Sequence, residues 1–160
     1  MTFSPELEAR LARVIASCPP GRERSALVPM LLYAQDEVGA ITPELVAEVS
    51  RRLNLSPLQV EEVVSYYSML RRKPAGKHHI QICTNISCML VGGTELFDHA
   101  CRRLGIGNQE ATPDGQFSIE EVECLGACSW GPALQVNYDY RHDMTPEKLD
   151  RLIDALRGAG

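Results

Sequence analysis

Two short cysteine pairs constrain this chain more than any other feature. Cys83 and Cys88 are spaced C-x4-C, and Cys124 and Cys128 are spaced C-x3-C. Each pair stands where a strand-like run breaks into a loop. Brought together from distant parts of the chain, the two pairs make a tetrathiolate site. The sequence therefore calls for a fold that holds a metal cofactor between two loops.

Composition sets the context for those thiols. The chain has 160 residues, enough for one domain or for a small helical domain joined to a compact second one. Its apolar fraction of 44% is ordinary for a globular protein, so no disulfide framework is needed to supplement a poor core. Net charge is −5, and no basic run or aromatic–basic interleaving suggests nucleic acid. The first twenty residues are amphipathic and carry two acids, Glu6 and Glu8, unlike a secretory signal or a transit peptide. No stretch reaches about 18 consecutive apolar residues, so no direct membrane insertion is expected. These features imply a reducing cytoplasm, where clustered cysteines read as metal or redox ligands.

The first half reads as helices. Ser4-Pro5, Thr42-Pro43, Ser56-Pro57 and Thr145-Pro146 each offer a hydroxyl N-cap followed by proline at the first helical position. Helices are expected over 5–17, 25–38, 43–53 and 57–69. Pro29 delays or bends the second of these. Leu45, Val49 and Leu53 recur at helical spacing, as do Val60, Val63, Val64 and Tyr67. A helical bundle over 1–75 is the natural packing. The segment 71–77, rich in Arg and Lys, marks the boundary and reads as a solvated linker.

From residue 76 to 160 the pattern changes. Strands are expected over 78–83, 117–123 and 133–137, with another near Tyr140. Helices are expected over 94–104 and 146–156. Pro113-Asp114-Gly115 signals a turn. The fold class is α/β: an N-terminal helical bundle followed by a second domain close to a thioredoxin-like layout.

The donor set admits two metals. Zinc takes four thiolates from pairs spaced in this way. A [2Fe–2S] cluster also takes four, two on each iron, and carries a net charge of two minus that becomes three minus on reduction. Such a charge needs donors around it. Thr84, Asn85 and Ser87 in the first loop, and Gly126 and Ala127 in the second, are small or polar and let backbone N–H groups approach the sulfurs. Glu121 and Glu123 add negative charge that would lower the potential if it faced the cluster. The thioredoxin C-x-x-C is absent, which argues against disulfide exchange.

Other candidates read as structural. Cys101 shares a helical stripe with Leu96, Phe97, Ala100 and Leu104, and reads as core. Cys18 ends the first helix beside two prolines. His78 and His79 point to opposite faces of a strand, and His99 and His142 read as surface residues. No dinucleotide fingerprint, Walker loop or nucleophilic triad is found, so the isolated chain is not expected to be catalytic.

The residues 83–88 (Cys-Thr-Asn-Ile-Ser-Cys) and 123–128 (Glu-Cys-Leu-Gly-Ala-Cys) resemble the thioredoxin-like [2Fe–2S] subunit of NADH:quinone oxidoreductase, respiratory complex I. Thr112-Pro113-Asp114-Gly115, Pro132, the helix after Thr145-Pro146-Glu147, Ala34-Gln35 and 65–68 (Ser-Tyr-Tyr-Ser) are similar to that family as well. The resemblance covers nearly the whole chain. It implies that Cys83, Cys88, Cys124 and Cys128 ligate one [2Fe–2S] cluster. It also implies packing against a flavin-bearing subunit that binds FMN and oxidises NADH, alongside another peripheral-arm iron–sulfur subunit. The place implied is the cytoplasmic side of the inner membrane, reached through the complex. The same cysteine spacing serves NAD-linked hydrogenases and formate dehydrogenases, and a zinc-stabilised adaptor without redox function is the reading from another class.

Overall fold

The computed structural model describes residues 1–158, in two compact units that divide between Pro74 and Ala75.

The first unit is helical. Its helices are α1 (Pro5–Ala16), α2 (Leu27–Val38), α3 (Pro43–Leu53) and α4 (Pro57–Tyr66). Ser4, Thr42 and Ser56 each accept a hydrogen bond from a first-turn backbone N–H, and Ser56 completes a capping box with Gln59. A short 3-10 turn, Glu23–Ala26, precedes α2, so Pro29 falls in the first turn of the α-helix proper, where its missing N–H costs nothing. Leu11, Met30, Leu31, Leu45, Val49 and Val60 form the centre of this unit's core.

Helix α4 ends at Tyr66, three residues short of the span the pattern suggested. The reason is a buried side chain. Gln35 on α2 donates through Nε2 to Met69 O at 3.0 Å and accepts from Arg71 N at 2.6 Å. Ile41 N donates to Arg71 O at 2.7 Å. The chain after α4 thus exchanges helical hydrogen bonds for tertiary ones, which satisfy its backbone equally well.

The second unit is α/β. Its elements are β1 (His78–Cys83), α5 (Ile86–Leu90), α6 (Gly93–Leu104), β2 (Glu110–Ala111), β3 (Phe117–Val122), β4 (Leu134–Val136), β5 (Asp139–Arg141) and α7 (Pro146–Gly158). The strands form one sheet in the order β2-β3-β1-β4-β5. β1 and β3 are parallel, and β4 runs antiparallel on the other side of β1. Helix α6 packs on β1, β3 and α7. Ile80, Ile82, Phe117, Ile119, Leu134 and Val136 from the sheet meet Leu96, Phe97, Ala100, Leu149 and Ile153 from the helices. Cys101 packs at the margin of this cluster, as its helical stripe predicts.

The opposite face of β1 and β3 carries a polar row. His79 Nδ1 lies 2.8 Å from Ser118 Oγ, and Nε2 lies 3.1 Å from Glu120 Oε2. Gln81 Nε2 donates to the same carboxylate oxygen at 3.0 Å. His78 turns to the other face and tilts over the Phe117 ring. His99 differs from its surface reading: it is half-buried and pairs with Asp150 of α7 at 2.9 Å, where it helps to join α6 and α7.

Candidate metal centre

The two cysteine loops leave the sheet side by side. β1 ends at Cys83 and β3 at Val122, and these two residues are partners in the parallel register. One more hydrogen bond, Thr84 N to Val122 O at 3.1 Å, holds the exits together. Asn85 then caps α5 by accepting from Ile86 N, and this short helix carries Cys88. Across from it, Cys124 follows β3, and Cys128 opens a 3-10 turn, Cys128–Trp130, that lies against α5.

The two pairs differ in exposure. Cys83 and Cys88 are 3% and 2% exposed and pack with Ala133, Val122, Leu125 and Ala127. Cys124 and Cys128 are exposed. Burial pushes the Cys88 thiol up, while the Ala133 N–H beside its sulfur pulls it back, and the neighbouring Cys83 and Cys128 add to the rise. Cys88 therefore lies close enough to Cys83 and Cys128 to feel both. Cys124 Sγ accepts from Gly126 N at 3.3 Å, and Cys83 Sγ lies 3.7 Å from Glu123 O. Among the described residues, no three His, Cys, Asp or Glu side chains are gathered as ligands of a single metal ion.

Three glycines shape the centre. Gly126 has φ of 76°, a left-handed conformation that turns its N–H toward Cys124. A Cβ on Gly93 would stand 2.7 Å from Cys83 O and 2.9 Å from Cys88 C, so only glycine lets α6 begin this close to the first loop. A Cβ on Gly131 would stand 3.3 Å from Cys88 Sγ and 3.0 Å from Val91 Cγ2. Cysteine sulfurs, close backbone N–H donors and cleared space are thus found together around the first loop and Gly126, a chemistry that fits an anionic cluster.

Exposed apolar residues flank Cys88 and Cys128 along the chain. Ile86, Met89, Leu90 and Val91 around α5, and Trp130 after Cys128, are all exposed. Helical periodicity did not reveal α5, because five residues are too few to show a period. Asn85 before Ile86 was the available signal. Glu121 is exposed and hydrogen-bonded to Thr84 at 2.7 Å.

Known proteins match this chain over most of its length. It is 40% identical over 158 residues to NADH-quinone oxidoreductase subunit 2 of Thermus thermophilus, covering 98% of this chain and 87% of that one. It is 41% identical over 145 residues to an NADH-quinone oxidoreductase subunit of Rickettsia bellii, covering 90% and 87%. Among solved structures, an NAD+-reducing [NiFe]-hydrogenase in the air-oxidised state matches with a TM-score of 0.71 at 20% identity, covering 83% of this chain and 23% of that one, a likeness of fold. The model of the thioredoxin-like [2Fe-2S] ferredoxin family matches residues 11–157, and the chain belongs to that family.

Proposed function

We propose that this chain is an electron-transfer subunit of an NADH-quinone oxidoreductase, with Cys83, Cys88, Cys124 and Cys128 as the ligands of its [2Fe–2S] cluster. The observation that carries the ligand assignment is the parallel register of Cys83 and Val122, which delivers both cysteine loops to one end of the sheet. The relatives at about 40% identity carry the choice of complex, since this chain spans 87% of their length. The bundle over 1–75 and the cluster domain over 76–160 act as one subunit.

The cluster supplies one-electron transfer when bound. The protein's part is electrostatic and steric. Cys83 and Cys88, which are buried, and Cys124 and Cys128, which are exposed, would together hold the cluster's two irons. The Ala133 and Gly126 N–H groups offset negative charge on Cys88 and Cys124. The exposed apolar residues from Ile86 to Val91, with Trp130, exclude water from a contact with the partner. That partner is the flavin-bearing subunit, which binds FMN and NADH, and another peripheral-arm iron–sulfur subunit completes the surroundings. The complex holds the chain on the cytoplasmic side of the membrane. Among the described residues no helix is long and apolar enough to cross one.

Metal and sulfide analysis tests this reading. The purified chain is expected to be red-brown, with about two irons and two acid-labile sulfides. Stoichiometric zinc without sulfide would overturn it. The chain alone is expected not to oxidise NADH. With the flavoprotein present, activity and protection of residues 83–91 and 124–132 from hydrogen exchange are expected together.

A further inference from the structure

Thr84 directly follows Cys83, and its hydroxyl is already committed. Thr84 Oγ1 donates to Glu121 Oε1 at 2.7 Å. Glu121 is also held through its backbone, where its N–H donates to Asn108 Oδ1 at 2.9 Å. An exposed glutamate normally samples many rotamers, and water screens its charge. This one is tied to the residue next to a buried thiol. Glu123, beside Cys124, is equally exposed, yet among the described residues its carboxylate has no such tether. Two carboxylates close to the cysteine loops are therefore treated differently by the fold, and only one is fixed in place.

We propose that Thr84 is a positioning residue that holds the Glu121 carboxylate beside the first cysteine loop, and that this fixed negative charge lowers the reduction potential of the cluster. The inference rests on the [2Fe–2S] reading above. Its physics is simple. One-electron reduction adds negative charge to a centre that is already two minus. A nearby fixed anion opposes that addition. Its tether is the residue directly after Cys83, and a charge held beside a buried group is screened less than one across water. Neither Thr84 nor Glu121 supplies a ligand, so the cluster can be tuned without being rebuilt.

A redox titration of the full chain carrying its cluster, followed by absorption or electron paramagnetic resonance, tests the idea. Glu121→Gln is expected to favour reduction about threefold, a rise of ~28 mV at 59 mV per tenfold for one electron. Thr84→Val is expected to raise the potential by less, because the charge remains but is released to solvent. Thr84→Ser keeps the hydroxyl and is expected to match the wild type. The decisive comparison is the double variant: with Glu121→Gln in place, Thr84→Val is expected to add nothing. An equal Thr84→Val shift in both backgrounds would place the hydroxyl's effect on the cluster directly and overturn the proposal. So would an unmoved potential in Glu121→Gln. If Thr84→Val fails to hold the cluster, Glu121→Gln and Glu121→Lys carry the test, and the lysine is expected to raise the potential further than the glutamine. A wild-type chain without a [2Fe–2S] spectrum would defeat the underlying reading instead. Normal spectra with unmoved potentials would defeat only the positioning of Glu121.

Discussion

Cys83 and Val122 face each other as the last paired residues of two parallel strands. Neighbouring parallel strands finish at the same end of a sheet, so whatever follows them leaves from one place. Here each exit is a cysteine loop. The sheet thereby performs the long-range step of assembly, and the loops need only short-range geometry to present their sulfurs.

The four paired cysteines are expected to behave differently from the other two. Changing Cys83, Cys88, Cys124 or Cys128 to serine should damage the visible absorption of the cluster. Cys101→Ala and Cys18→Ala should leave it intact, since Cys101 packs between helix and sheet and Cys18 lies against the helical core. Absorption spectra of the six variants, each compared at equal protein concentration, decide the matter. Bleaching by Cys101→Ala alone would refute the ligand set.

Gly93→Ala should disturb the centre more than Gly131→Ala. At Gly93 the added methyl meets backbone, Cys83 O at 2.7 Å and Cys88 O at 2.9 Å, which cannot move without shifting α5. At Gly131 the nearest atom is a Val91 side-chain methyl at 3.0 Å, which can rotate away. Crowding of the first kind costs about 1–3 kcal/mol. Denaturant midpoints and iron content should both fall, and fall further for Gly93→Ala.

Leu149→Ala should destabilise the second unit by about 2–5 kcal/mol. Leu149 is fully buried where α7 meets the sheet. Leu58→Ala, at an exposed position of α4, should stay within about 0.5 kcal/mol of wild type. Urea unfolding followed by circular dichroism distinguishes the two.

Acid should weaken the helical unit through Glu48. The Arg51 guanidinium at 2.7 Å and the Arg52 guanidinium beside it hold Glu48 down, from 4.5 to about 2. A carboxyl lowered in the folded state stabilises that state in full above pH 4.5, and the contribution is lost as pH falls from 4.5 toward about 2. Glu48→Gln should therefore lower the thermal midpoint near neutrality and flatten its decline across that acid window. An unchanged acid slope in the variant would show that the two arginines do not carry this dependence.

The sequence alone determined much of what depends on near neighbours in the chain, although the five-residue α5 escaped it. Hydroxyl–proline caps located α1, α3 and α4 at their first residues, because a cap needs only side chain and backbone a few positions apart. Alternation located β1 at 78–83. The tertiary structure decided what depends on distant partners. Gln35 stops α4 at Tyr66 through bonds to Met69 and Arg71, and no local pattern announces a buried amide from another helix. The two-residue strand β2 exists only because β3 offers it an edge to pair with. His79 and Glu120 became a buried pair because parallel register sets their strands side by side. The difference between a dry thiol pair, Cys83 and Cys88, and an exposed one, Cys124 and Cys128, has the same origin. Spacing along a chain tells which side chains can share a loop. Burial is set by what the rest of the chain lays over that loop, and that is known only once the sheet has formed.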